Sequence, residues 1–170
     1  MSVQSVIMAW LACEIEIGKT GSNDTMAASL TSVGVIKDKS STLEPSDGDT
    51  LEAKSTGGRT VAKESTEGGF KLKTRVIEPT PEFESLLGLI VAGTGGDVNV
   101  KTHVVEDDFS VRVTPKNVGA RGIKAPKTHV TYKPGWSEEE GNYADLEFEF
   151  LFGAQGYWYS KFTKSAVQEG

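Results

Sequence analysis

The chain has 170 residues, a net charge of −6, 19 glycines and a hydrophobic content of 37%. This length suits one domain with its own core, and the composition excludes a chain that is disordered throughout. The negative charge argues against a protein that collects nucleic acid or anionic lipid, because both repel an acidic surface.

The start of the chain is apolar and contains the single cysteine, Cys13, so an internal disulfide framework is excluded. The run VIMAWLAC at 6–13 is too short for a membrane span and follows no basic segment. We therefore expect a strand or packing arm here, and no membrane insertion.

Alternating polar and apolar residues predict strands through the first half of the chain, at 13–18, 33–36, 50–54, 59–65 and 69–77. The last three form a meander, because paired glycines separate them. The polar segment 37–49 predicts a long exposed loop or a loose hairpin. In the strand at 69–77, a basic face is formed by Lys71, Lys73 and Arg75.

One helix is predicted over about 81–92. Thr80 suits the N-cap and Pro81 the first helical position, while Gly93 could end the helix. Apolar residues recur at helical spacing and form one face that should pack on a sheet. These helix-packing residues are Phe83, Leu86, Leu87, Ile90 and Val91.

The second half of the chain again predicts strands. Segments 98–104 and 109–113 are expected to form a hairpin, followed by a basic loop at 117–127 and a short strand at 130–132. The strand at 146–152 places Glu147 and Glu149 opposite a row of phenylalanines. The final strand ends at Phe162 and has aromatic residues on both faces.

No pattern in the chain predicts catalysis. Gly18-Lys19-Thr20 resembles the end of a phosphate-binding loop, but Cys13 stands where that loop requires a glycine. His103 and His129 have no second ligand at metal-binding spacing. We therefore expect neither an enzyme nor a bound cofactor or metal.

The order of the segments resembles that of bacteriophage tail tube proteins, also called major tail proteins. The resemblance covers most of the chain from Met8 onward and is carried by MAWLACEIEIG, GVIKDKSSTLEPSDGD, LEAKSTGGRTVAKES, GGFKLKTRVI, PEFESLLGLIVAG and LEFEFLFGAQGYWYSKF. It implies a mainly β fold, in which two packed antiparallel sheets form a sandwich or barrel flanked by one helix. It also implies a single domain over 1–170, with arms at 1–10 and 163–170.

The function implied by this resemblance is structural. Copies of the chain would form hexameric rings that stack into a hollow tube, through which phage DNA passes without specific binding. The protein would assemble in the cytoplasm of the bacterial host, alongside other tail proteins, and end in the virion tail. Residues Glu147 and Glu149 would face the lumen. Contacts between subunits or rings would involve Asp38, Ser40, Leu43, Asp47, Trp158 and Phe162.

A different class of protein is the alternative. A monomeric β-sandwich module could bind carbohydrate or protein through an aromatic platform. That platform would consist of Trp136, Tyr157, Trp158 and Tyr159. An enzyme ranks third, since it would require a deep pocket with convergent ionisable groups.

Overall fold

A computed structural model describes residues 13–46, 48, 50–65 and 68–165. The fold is mainly β, with antiparallel sheets and one short helix, as predicted. The strands are β1 (Cys13–Lys19), β2 (Thr31–Ser32), β3 (Val35–Ile36), β4 (Thr42–Pro45), β5 (Thr50–Lys54), β6 (Thr60–Ser65), β7 (Phe70–Ile77), β8 (Ile90–Ala92), β9 (Val98–Val100), β10 (Asp108–Pro115), β11 (Arg121–Ser137), β12 (Gly141–Phe150) and β13 (Ser160–Thr163). The helix is α1 (Pro81–Leu86).

Nine strands form the main sheet, in the order β2-β1-β10-β11-β12-β7-β3, with β13 added to β11 and β4 added to β7. Strand β11 has 17 residues. Its first part pairs with both β10 and β13, and its second part pairs with β12. The long strand therefore joins two parts of a curled sheet.

The segment from Thr31 to Ile36 connects the two ends of this sheet. Its first half, β2, pairs with β1, and its second half, β3, pairs with β7. Gly34 lies between them with φ of +124°, and a Cβ there would come within 2.9 Å of the Glu78 carbonyl oxygen. This crossing requires glycine, because a side chain would be both strained and obstructed.

The core lies inside the curl and is built from the alternate residues that face inward. In β12, for example, Leu146, Phe148 and Phe150 are buried, whereas Glu147 and Glu149 lie on the opposite face. The alternation seen in the sequence therefore identified the inner face correctly from Leu146 to Phe150. The predicted strand extends too far, because β12 ends at Phe150 and Phe152 is 58% exposed.

Helix α1 begins where the sequence predicts. The Thr80 hydroxyl accepts a hydrogen bond from the Phe83 amide at 3.3 Å and donates one to the Ser32 carbonyl oxygen at 3.0 Å. Pro81 occupies the first helical position. The cap thus fixes the start of the helix and also ties it to the sheet.

The helix is shorter than predicted, because Gly88 ends it rather than Gly93. Gly88 has φ of +77°, and its amide donates to the Ser85 carbonyl oxygen at 3.0 Å. The Leu89 amide donates to the Glu84 carbonyl oxygen at 3.1 Å. This pair of hydrogen bonds is a Schellman motif, which closes a helix at a left-handed glycine.

The predicted helix-packing residues are consequently divided between two elements. Phe83 and Leu87 are buried, and Leu86 is half-buried against the core. Ile90 and Val91 belong to β8, where Ile90 is half-buried and Val91 is 50% exposed. The helical spacing of these two residues is accidental, since the chain has already left the helix.

Helix α1 also contacts β11 through Tyr132, whose ring lies inside the curl. The Tyr132 hydroxyl donates to the Glu84 carboxylate at 2.9 Å, and its ring centroid is 6.1 Å from that of Phe83. Burial and the neighbouring Glu84 raise the pKa of Tyr132. The buried hydroxyl is therefore satisfied by the helix that covers it.

Three other expectations are wrong. Strand β9 pairs with β8, whereas β10 pairs with β1 and β11, so 98–104 and 109–113 form no hairpin. The predicted loop at 117–127 ends early, because β11 begins at Arg121. The predicted loop at 37–49 contains β4, which pairs with β7. Propensity alone misses such strands, since tertiary pairing decides them.

Candidate functional site

The face that carries Glu147 and Glu149 is the outer face of β7, β11 and β12. Glu147 is half-buried there and Glu149 is exposed. The strand register places Lys73 directly opposite Glu147, and Lys71 directly opposite Glu149. Lys71 also lies 3.5 Å from a Glu147 carboxylate oxygen.

Arg75 completes this arrangement, because it lies opposite Asp145 in the same register. The three carboxylates of β12 on this face are thus matched by three cations of β7, and opposite charges across strands stabilise a sheet. The face that the sequence suggested would be acidic is therefore a ladder of alternating charges. The basic face of the strand at 69–77 was the signal for it.

Arg75 makes the most hydrogen bonds and ion pairs of the side chains in this ladder. Its Nε and a terminal nitrogen donate to the two Asp145 carboxylate oxygens at 2.6 and 3.0 Å, and its other terminal nitrogen donates to Glu140 at 3.1 Å. The guanidinium group also lies 4.4 Å from the centre of the Tyr143 ring. The hydrogen bonds that Arg75 donates to Asp145 raise the pKa of Arg75 further above its already high ordinary value.

Glu140 joins this cluster to the segment before β4. The Lys37 ammonium donates to Glu140, and Lys37 is also held by its own amide, which donates to the Arg75 carbonyl oxygen at 2.9 Å. The hydrogen bond from Lys37, with a smaller contribution from Arg75, lowers the pKa of the Glu140 carboxyl. The cluster therefore fastens the turn between β11 and β12 to the sheet.

We expect Glu140→Gln to make stability less dependent on acid pH. The folded pKa of Glu140 lies below the ordinary value of 4.5, so its ion pairs stabilise the fold above that pH and are lost as the pH falls through the folded pKa. The variant should be less stable than the parent at pH 7, and the difference should shrink as the pH falls below the ordinary pKa and through the folded pKa of Glu140. Urea unfolding across a series of pH values measures this.

Glu139→Gln is the matched control, because Glu139 is exposed and has no ion pair within the part of the chain that the structure describes. It should leave the unfolding midpoint almost unchanged at pH 7. A constant difference between Glu140→Gln and the parent across the whole pH range would contradict the assignment.

The predicted contact residues before β5 differ in exposure. Asp38 is exposed, whereas Leu43 packs against the core. The Ser40 hydroxyl donates to the Lys37 carbonyl oxygen at 2.7 Å and accepts from the Arg75 amide at 3.2 Å. Asp47 lies outside the described residues. Of the described members of this group, Asp38 alone is fully available to a partner.

The predicted contact residues near the end of the chain are engaged within the fold. Trp158 lies between Phe70 and Phe152, with ring centroids 6.0 and 5.3 Å away. Phe162 pairs with Gly122, and its ring covers that glycine so closely that a Cβ there would be 2.5 Å from a ring carbon. Both residues retain partial exposure. The expected arm at 1–10 lies outside the described residues, as does 166–170 of the other arm.

The aromatic platform of the alternative function is divided between two ends of the sheet. Trp136 is 71% exposed and lies opposite Asn142, near the turn between β11 and β12. Tyr159 and Trp158 pack around Phe70 near the other end of β12. Eight residues of strand separate these two places, which corresponds to roughly 26 Å. One ligand-sized platform cannot include both.

The strongest feature that the sequence reasoning missed is the isolation of the hairpin formed by β5 and β6. The two strands pair with each other and with no strand of the main sheet among the described residues. Every side chain from Leu51 to Thr60 is exposed, and Leu51 is 65% exposed. The regular meander in the sequence had suggested that these strands join the sheet.

His103 and His129 are exposed. Within 13–46, 48, 50–65 and 68–165, no cluster of three or more histidine, cysteine or acidic side chains could hold a metal ion. No helix in that part of the chain is long and apolar enough to cross a membrane. Burial raises the pKa of the Cys13 thiol, which lies 3.8 Å from the Ser41 hydroxyl.

Comparison with known proteins finds no family model that matches this chain and no curated protein that is similar to it.

Proposed function

We propose that this protein is a structural subunit of a phage tail, and that its copies form stacked hexameric rings enclosing a tube for DNA. It acts in the virion tail after assembly in the bacterial host cytoplasm, and it performs no catalysis. The observation that carries the proposal is the hairpin of β5 and β6, which has no packing partner strand within its own described chain.

An isolated two-stranded hairpin is at best marginally stable in water. This one also presents an exposed leucine, Leu51, and two strand edges that pair with no other described strand. Strand edges of this kind pair readily with other chains, and closed symmetric assemblies satisfy them. A second copy of the chain is therefore the partner that the hairpin fits.

The charge ladder supports passage of DNA rather than binding. Lys71 and Arg75 already form ion pairs with Glu147 and Asp145, so a phosphate would have to compete with these carboxylates. Affinity for DNA depends on cations that release counterions from the phosphates, and paired cations contribute little. We assign this face, with Glu147 and Glu149, to the lumen.

Removing the hairpin should abolish assembly while leaving the body folded. Its base allows a clean excision, because the Ser46 amide donates to the Gly69 carbonyl oxygen at 2.7 Å and the Gly69 amide donates to the Ser46 hydroxyl at 3.0 Å. Replacing 50–65 by a short glycine-serine linker keeps these bonds. Light scattering coupled to size exclusion should then show a folded monomer, and negative-stain microscopy should show no rings or tubes.

Two point variants provide a matched comparison. Leu51→Lys and Val35→Lys place the same charge at positions of almost equal exposure, 65% and 66%. Only Leu51→Lys should weaken assembly.

Tubes formed by the hairpin deletion would reject the role of the hairpin. A parent protein that stays monomeric at all concentrations, with tryptophan emission shifted by glycans, would reject the tube and favour the carbohydrate-binding alternative through Trp136.

A further inference from the structure

One end of the molecule collects unpaired positive charge, although the chain as a whole has a net charge of −6. The turn between β10 and β11 meets β13 and the residue after it, where the Lys164 amide donates to the Ala120 carbonyl oxygen at 2.9 Å. The Lys164 ammonium donates to the Lys116 carbonyl oxygen at 2.8 Å. We call this the basic end, and its members are Lys116, Arg121, Lys124, Lys161 and Lys164.

The cations of the basic end are not neutralised inside the fold. None of the five is in an ion pair with a carboxylate among the residues that the structure describes, whereas Lys37, Lys71 and Arg75 all are. The turn also presents an apolar side chain, since Val118 is 51% exposed. An apolar centre with a charged rim is the usual anatomy of a protein interface.

The opposite end of β11 has the opposite charge. The strand begins at Arg121 and ends immediately before three successive glutamates, and its 17 residues could span about 55 Å if straight. Glu138 and Glu139 are exposed, and so is Glu78, whose amide donates to the Asn142 carbonyl oxygen at 2.8 Å. We call Glu78, Glu138 and Glu139 the acidic end.

An exposed apolar side chain also lies beside the acidic end, since 71% of the surface of Trp136 is exposed. Glu140 does not belong to the acidic end, since it already pairs with Lys37 and Arg75. The two ends therefore offer complementary charge around one apolar residue each. Tryptophan is one of the side chains enriched among the residues that contribute most of the binding energy at interfaces.

We propose that the basic end of one copy binds the acidic end of the next, in a head-to-tail contact between successive copies. This inference rests on the proposed self-assembly and adds its direction. Like ends repel and unlike ends attract, so only one orientation of stacking is favoured. A contact between two different surfaces repeats without limit, as a growing tube requires.

Charge reversal tests the contact directly. The first variant carries Lys116→Glu, Arg121→Glu and Lys161→Glu, which makes both ends acidic. The second carries Glu138→Lys and Glu139→Lys, which makes both ends basic. Each alone should associate at least tenfold more weakly than the parent. An equimolar mixture should assemble again, because every contact then joins an acidic end to a basic end.

Light scattering at about 0.05 M and about 0.5 M salt measures the association, which should weaken as salt screens the charges. The matched control carries Lys39→Glu and Lys101→Glu, which reverses as many charges as the second variant at two exposed positions outside both ends. It should assemble like the parent. Near-ultraviolet circular dichroism establishes that each variant is folded.

The outcomes separate this contact from the tube itself. Normal tubes from either reversed variant, or a mixture that fails to assemble, would overturn the head-to-tail contact and leave the proposed function standing. A parent that never assembles would overturn both. Binding of double-stranded DNA by the parent, abolished by the first variant, would make the basic end a nucleic-acid surface and overturn the contact.

Discussion

Phe83→Ala is expected to lower the free energy of unfolding by about 3–5 kcal/mol. Phe83 has no exposed surface, and it belongs to the same core cluster as Tyr132 and Leu89. Truncation would leave a cavity where the helix meets the inside of the curled sheet. The hydrogen bond between Tyr132 and Glu84 would lose the packing beside it, so the helix should also become less firmly attached.

Val91→Ala is the control for this prediction. Both residues belong to the apolar stripe that the sequence placed on one helix, but Val91 lies in β8 and is 50% exposed. Its truncation should cost less than about 1 kcal/mol. Urea unfolding followed by far-ultraviolet circular dichroism measures both. Equal losses would contradict the short helix and restore the long one.

Gly122→Ala is expected to be the second most damaging change, at about 3 kcal/mol. A Cβ at this position would lie 2.4 Å from the Val113 carbonyl oxygen and 2.5 Å from a ring carbon of Phe162. The ring could rotate away, but the carbonyl belongs to the paired strand β10 and cannot move without disturbing the ladder. Part of the cost is therefore unavoidable.

Two comparisons isolate that cost. Gly69→Ala has ordinary backbone torsion and meets its nearest atoms at 3.4 Å, so it should change the unfolding midpoint little. Adding Phe162→Ala to Gly122→Ala removes the clash with the ring but retains the clash with Val113. If the double variant were as stable as Phe162→Ala alone, the backbone contact would be unimportant.

The two ends of helix α1 differ in how well the sequence predicts them. Its start was predictable because an N-cap is a local device, and Thr80 needs only Phe83, three residues away. Its end was not, because Gly88 and Gly93 are both suitable stops and the apolar stripe continued through both. Which glycine adopts the left-handed conformation depends on where Leu89 and Ile90 find their packing partners.

The candidate lumen face illustrates the same division. Alternation placed Glu147 opposite the phenylalanines correctly, because side-chain direction in a strand has a period of two. It could not show that Lys73 lies directly opposite Glu147, since register between distant strands depends on the whole sheet. The outer face of β12 is acidic by itself, whereas the cations of β7 balance its charge in the paired strands.

The sequence by itself determined the mainly β class, the inner and outer faces of single strands, and the start of the helix, because each depends on neighbours within a few residues. Only the tertiary structure decided that β9 pairs with β8, that the hairpin of β5 and β6 stands apart, and that the ends of β11 carry opposite charge. These features depend on pairing between residues that are distant in the chain, where sequence periodicity carries no information about partners.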